Sequence, residues 1–447
     1  MGGTGRMTAN IRIDFSEKLG AVKALQGVNN GPLCYGNVID VTHSYKELAV
    51  PWVRIHDPNW PHPLEVDIHT IFPDFSADPE DPASYRFERT DRYIQSIVDT
   101  GARIVYRLGE SIEHFKRWYC YPPEDNNKWA AICRGIVKHY NMGWADGFHH
   151  GIQYWEIWNE VENEKMWPGT PEQFYELYRA ASTVLRALDP ELKIGGYACG
   201  GGVFNQLTFG FLDYCRTHGL PLDFLSWHVY PNNPLRPLSM GKRVRAMLDE
   251  YGFTAAESHL NEWNYLRFPP GASWKTMWTD EYVKQDILER GKGPEGASFA
   301  AATLIALQDA DVDVANYYDG QPSSIFCGLF NCYGVPQKTF YAFRAIRELG
   351  ETGERALAEW EHGRDDLYAC AAVHDSGKKA MVLISNFSDR DNRLRLAMNG
   401  LAEGAWIIER YALDEANTMK LVATGMEKEL ELRIPRYGVL QVKLTKV

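Results

Sequence analysis

Eight short apolar segments recur along the chain up to residue 319, at 25–29, 52–57, 103–109, 154–160, 193–197, 224–230, 258–263 and 314–319. Between them lie stretches with helical spacing of apolar residues. Residues 89–100 place Tyr93, Ile94, Ile97 and Val98 on one face, with Gly101 as the stop. Thr170-Pro171-Glu172-Gln173 reads as a capped helix start, and the pattern that follows ends before Asp189-Pro190. Residues 298–309 are small and apolar enough to be packed on most sides, and 336–349 closes the series. Strands that alternate with helices pair in parallel, because parallel neighbours need a crossover. Eight is the number that closes a barrel. An open doubly wound sheet would carry a glycine-rich phosphate turn after its first strand. Asn29-Asn30-Gly31-Pro32 stands there instead. The expected fold is therefore α/β, a (β/α)8 TIM barrel.

Past Gly350 the helical spacing disappears. Segments 367–373 and 379–386 flank Asp375-Ser376-Gly377 as a hairpin, and 394–397, 406–411, 429–434 and 439–444 read as further short strands. This is the pattern of a smaller C-terminal antiparallel β-sandwich. Residues 10–15 alternate apolar and polar through Ile11, Ile13 and Phe15 and have no helix of their own. The expected division is thus an N-terminal strand within 1–20 that joins the sandwich, a barrel at 21–350 and the sandwich at 351–447.

Charge narrows the partners. A formal net charge of −12 with no basic run argues against nucleic acid or an anionic membrane surface. No apolar run reaches the roughly 18 residues of a membrane span, and no apolar leader core follows Met1, so a cytoplasmic protein is expected. The eight cysteines form no CxxC and none lies near a histidine pair at zinc spacing. They read as free buried thiols, and neither a metal nor a cofactor is expected. The order His56, His62, Asp67 is a weaker arrangement for a metal. Self-association is open, since large loops serve as contacts.

In a barrel, chemistry sits at the C-terminal ends of the strands. Those ends carry His56-Asp57, Asn159-Glu160, His228 and Tyr230, Glu262, and Tyr317-Tyr318. Glu160 and Glu262 each close a buried aromatic strand, where an unpaired carboxylate would cost several kcal/mol. Two carboxylates across a cleft are what glycosidic cleavage needs: one donates a proton to the leaving oxygen, and the other attacks the anomeric carbon or activates water. Glu156 is expected to point away from Asn159 by strand alternation. Apolar walls such as Trp158 are expected to raise the acid's pKa. Trp60, Trp118, Trp167, Trp274 and Trp278 fall in loops, where exposed rings could form a sugar-binding wall. Glu110 is a further candidate wall.

Several stretches together resemble clan A glycoside hydrolases, and more narrowly glycoside hydrolase family 39, which contains β-xylosidases and α-L-iduronidase. They are Gly27-Val28-Asn29-Asn30-Gly31-Pro32, Val53-Arg54-Ile55-His56-Asp57, Trp158-Asn159-Glu160, Asp223 to Tyr230, Leu260-Asn261-Glu262-Trp263-Asn264 and Gly328-Leu329-Phe330. The resemblance implies a retaining exo-glycosidase acting on an oligosaccharide or glycoside, with β-xylosidase leading and α-L-arabinosidase, β-glucosidase or α-L-iduronidase as siblings. It implies Glu160 as acid/base, Glu262 as nucleophile and Asn159 on the sugar 2-hydroxyl. His228 and Tyr230 would line the pocket, the Tyr hydroxyl near Glu262. Arg54 and His56 would form the floor. An iduronidase would also need a basic residue to pair with the uronate carboxylate, for which Arg267 or Lys275 is available. The chain departs from the family at Val161, where Pro is common, in the loop that shapes the leaving-group side. A non-catalytic carbohydrate-binding barrel would lack one of the two glutamates, and both are present.

Overall fold

A computed structural model of the chain describes residues 9–34, 38–60, 64–114, 116–360 and 366–447. All eight expected barrel strands are present: Gly27–Asn29, Trp52–Ile55, Arg103–Leu108, Tyr154–Ile157, Lys193–Cys199, Phe224–Val229, Glu257–Trp263 and Val314–Tyr317. Each pairs in parallel with its sequence neighbours, and the eighth pairs with the first, so the barrel closes. The helices begin and end where local chemistry dictates. Thr170 and Gln173 form the reciprocal capping box of helix Pro171–Leu188. Asp125 caps Asn126–Met142, and Gly143 ends it in the left-handed conformation.

The barrel interior is layered. At its N-terminal end Trp52, Val105, Tyr154, Phe224 and Val314 form an apolar plug. Above the plug the inward side chains are polar and buried: Asn29, Arg54, Glu156, Asn261 and Asn316. Above these, at the C-terminal rim, sit Asn159, His228 and Glu262. A charged layer inside a barrel requires internal pairing, and that pairing shapes the site described below.

The second sheet is a single ladder of nine strands rather than two separate ones. One core nevertheless joins Ile11 and Ile13 to Leu394, Leu432, Ile384 and Val442, so the sheet curls over and its two halves face each other as a sandwich. The N-terminal strand Ala9–Ala21 lies inside this sheet, antiparallel to Glu354–Trp360 and parallel to Asn392–Asn399. The expected hairpin is there, with Leu367 opposite Asn386. Its other face carries Cys370, Ala372, Met381 and Leu383 into the barrel's core cluster, against helices Pro294–Ala306 and Lys338–Thr352. That contact explains the all-round burial of Gly296 to Ala306. Seven of the eight cysteines are buried thiols, and Cys332 is exposed, contrary to expectation. No helix among the described residues is long and apolar enough to cross a membrane.

Candidate active site

Arg54 organises the site. It is fully buried and donates in four directions: Nε to Glu156 at 2.7 Å, Nη1 to Glu262 at 2.7 Å and to Asn29 at 3.2 Å, and Nη2 to Asn159 Oδ1 at 2.6 Å. Glu156 also accepts from Asn261 Nδ2 at 2.5 Å. One guanidinium thus links strands one, two, four and seven through a planar fork that lysine could not reproduce. Because Arg54 holds the Asn159 oxygen, the Asn159 amide nitrogen is left as a donor for the cavity.

Glu156 therefore does not turn away from Asn159, as alternation predicts. Trp158 adopts a left-handed backbone, φ 68°, and Glu160 another, φ 46°. This turn resets the alternation. It sends the Trp158 ring outward against Trp129 and Trp167 and returns Asn159 and Glu160 to the interior side. Strain of this kind, about 1–3 kcal/mol per residue, persists only where packing over-determines it.

The two expected glutamates face one histidine. His228 Nδ1 lies 3.2 Å from Glu160 Oε1 and 3.4 Å from Glu262 Oε2. One oxygen of each glutamate and this nitrogen all lie within 4.8 Å of one another. Glu262 is the more enclosed, its side chain 5% exposed against 20% for Glu160. Tyr230 donates to Glu262 Oε2 at 2.5 Å. Glu160 Oε2 accepts from Asn163 Nδ2 at 3.0 Å. Glu160 is set closely against a glycine loop, where a Cβ on Gly200 would lie 2.1 Å from its Oε1.

The electrostatics differ from the sequence expectation at Glu160. Burial raises its pKa, but the hydrogen bond and charge of His228, with Asn163 and Arg54, outweigh burial and hold the carboxyl below its ordinary value. His228 is held above its ordinary value: burial opposes its charge, and Glu262 and Glu160 favour it more strongly. His56 goes the other way. Burial and then the Arg107 and Arg54 charges push it well below its usual range, and its Nδ1 accepts from Arg107 Nε at 3.1 Å. Beside it, burial drives the Asp57 carboxyl up to about 8, so the two together present a neutral wall near pH 7.

A cavity of about 830 Å3 opens over these groups. Of the seven residues singled out in the sequence, six line it: His56, Asn159, Glu160, His228, Tyr230 and Glu262. Arg54 lies beneath them. Trp60, Trp274 and Trp278 also line it. Trp167 is buried on Trp158, and Trp118 stands outside the cavity. Arg267 pairs with Glu295, and neither it nor Lys275 reaches the wall, whereas Arg236 does. Glu110 is no wall; it pairs with His69 at 2.5 Å. It forms with His69 and Asp67 a group of metal-ligand type, as Glu160, His228 and Glu262 do. Its carboxylates are already engaged, Asp67 by Arg107 and Ser111 and Glu110 by His69. His62 lies outside the described residues. Asn163, Asp319 and the Gly200–Gly202 loop were not singled out from sequence. Asn163, three residues past Glu160, had a local signal only in that spacing.

The family model of glycosyl hydrolases family 39 matches residues 39–417. A β-xylosidase of Geobacillus stearothermophilus is 24% identical over 320 residues, 65% of this chain and 61% of that enzyme. A β-xylosidase of Caldicellulosiruptor saccharolyticus is 25% identical over 376 residues, 76% of this chain and 70% of that one. The chain therefore spans less than two thirds of the Geobacillus enzyme's length. Among solved structures, a glucosidase from Croceicoccus marinus superposes with a TM-score of 0.79 at 26% identity, covering 99% of this chain and 100% of that one.

Proposed function

Because the chain belongs to glycosyl hydrolases family 39, we propose that it is a retaining exo-glycosidase, most closely a β-xylosidase, with Glu262 as nucleophile and Glu160 as acid/base. The observation that carries this reading is the spacing of the two carboxylates. Retaining pairs stand about 5–5.5 Å apart and inverting pairs about 6.5–9.5 Å. One oxygen of Glu160 and one of Glu262 lie within 4.8 Å of each other, nearer the shorter range, which favours direct attack.

Glu262, fixed by Arg54 and Tyr230, attacks the anomeric carbon as the glycosidic C–O bond breaks. Glu160 gives its proton to the departing oxygen. Water then enters, Glu160 takes its proton, and the hydroxide oxygen displaces Glu262 from the sugar. Asn159 Nδ2 serves the 2-hydroxyl, a contact that tightens in the transition state. A glycoside that fills the cavity deepens the burial that already raises Glu160, which favours the neutral acid. His228 offers a proton store 3.2 Å away. The barrel, residues 21–350, is the catalytic unit in this reading, and the sandwich is its support.

The two β-xylosidase relatives favour xylose. The Croceicoccus glucosidase favours a second reading, β-glucosidase. Aryl β-xyloside and β-glucoside turnover separates them. Proton NMR of the first-formed sugar should show the substrate's own anomer, and Glu262→Ala should abolish turnover. An inverted product sinks the retaining mechanism, and an active Glu262→Ala sinks the assignment.

A further inference from the structure

Beyond the catalytic pair the cavity has two unlike walls. One carries Trp60, Trp274, Trp278 and Phe326. Trp274 and Trp278 sit one turn apart on the short helix Trp274–Thr279, so their rings share a face. That helix is locked by Ser273 and Thr276, which cap each other. The two rings are 43% and 40% exposed, a large apolar area to leave in water. Trp60 is pinned by its Nε1 to the Ile112 carbonyl at 2.6 Å, which fixes a third ring.

The rest of the lining is polar in composition but mostly committed. The Asn163 amide donates to Glu160. Glu162 Oε1 accepts from the Gly201 N–H, and its Oε2 is enclosed without a hydrogen-bond partner. Gln321 is tied at both ends, accepting from the Asn59 N–H and donating to the Leu33 carbonyl. Asp319 accepts from Asn30 and from the Gln321 N–H. Arg236 remains. His114 is already packed against Trp60 and Trp278, and an arginine stacks on a ring as readily as it donates. A pyranose leaving group brings several hydroxyls that need partners once desolvated. A planar ring brings none and is matched by what this cavity leaves free, its ring faces.

We propose that the outer cavity is an aglycone site for planar aromatic leaving groups rather than for a second sugar, with Trp274 and Trp278 as the ring wall. This rests on the glycosidase reading and narrows its substrate class to glycosides of phenols and aryl alcohols.

The test compares 2-phenylethyl β-xyloside, methyl β-xyloside and xylobiose, with the β-glucoside series in parallel. Phenylethanol and methanol are similar in acidity and a sugar hydroxyl is more acidic than either, so leaving-group acidity works against the expected order. The 447-residue chain is expected to turn over the phenylethyl glycoside with kcat/KM about tenfold above both others, the worth of one ring contact. Trp278→Ala should erase most of the phenylethyl-to-methyl ratio, and Trp278→Phe should keep it. Trp278 is the better target, because Trp274 touches Tyr230, which holds Glu262. Xylobiose cleaved as well as or better than the phenylethyl glycoside overturns the proposal, as does an unchanged ratio in Trp278→Ala. Absence of turnover on every glycoside would overturn the glycosidase reading instead, and this proposal with it.

Discussion

Replacing Arg54 by methionine tests whether the buried charge layer is held by pairing. Arg54, Glu156 and Glu262 have side-chain exposures of 0%, 0% and 5%. The methionine fills much of the volume but leaves Glu156 without a counter-charge, Glu262 with His228 alone, and Asn29 and Asn159 without their donor. Breaking a buried pair from one side costs about 3–5 kcal/mol, because desolvation of the orphaned charge is no longer offset. Glu156→Gln alone keeps the shape and loses one charge-assisted contact, about 1.5–3 kcal/mol. The informative construction is the double variant. If the orphaned charge causes the loss, then removing the charge of Glu156 as well must relieve part of it. Arg54→Met with Glu156→Gln should be less unstable than the sum of the two single changes by at least about 1 kcal/mol. Urea unfolding followed by tryptophan fluorescence reads this directly, since Trp155, Trp158 and Trp263 lie in the barrel core. Strict additivity would refute the reasoning and place the loss in packing instead.

Two further outcomes follow from the site. His228→Phe removes the largest of the influences that hold Glu160 down, leaving Asn163 and Arg54, and leaves the burial that raises it, so Glu160 keeps its proton to higher pH. The basic limb of kcat/KM, which reports loss of that proton, should move upward; a limb that stays or moves down contradicts the assigned pair. Gly200→Ala sets a methyl 2.1 Å from Glu160 Oε1 and must displace the acid, for a loss of about 100-fold on alkyl glycosides. Nitrophenyl glycosides need little acid assistance and should fall much less, so equal losses on both would point to a collapsed cavity.

The barrel was legible because its strands are buried on both faces and read as near-continuous apolar runs. Two sandwich strands were not legible. Glu354–Trp360 mixes alanine, glutamate and arginine and buries only one residue fully, and Lys420–Gly425 lies at the sheet's edge, largely exposed. Neither presents the alternation on which a strand is recognised. The sandwich itself was expected from the hairpin, but its single curled ladder was not, since pairing between the N-terminal strand and residues 392–399 is a long-range fact.

The site was legible in its residues and not in its electrostatics. Glu160 and Glu262 stood out because each ends a buried strand, and that depends on burial alone. The sign of Glu160's shift depends on one nitrogen of His228, 68 positions away, and no local pattern carries that distance. The direction of Glu156 failed for a more instructive reason. Alternation assumes an unbroken extended backbone, and Trp158 breaks it at φ 68°. The break does chemical work. With regular alternation, a residue at 156 facing inward would force 159 outward, and Arg54 could hold either Glu156 or Asn159 but not both. The left-handed turn lets one strand place two side chains on the same guanidinium and then deliver Glu160 to His228. A residue that fits this turn without the Trp129 and Trp167 contacts, as in Trp158→Gly, should keep the backbone path but loosen Asn159 and Glu160, so the strain and the packing that holds it are parts of one device.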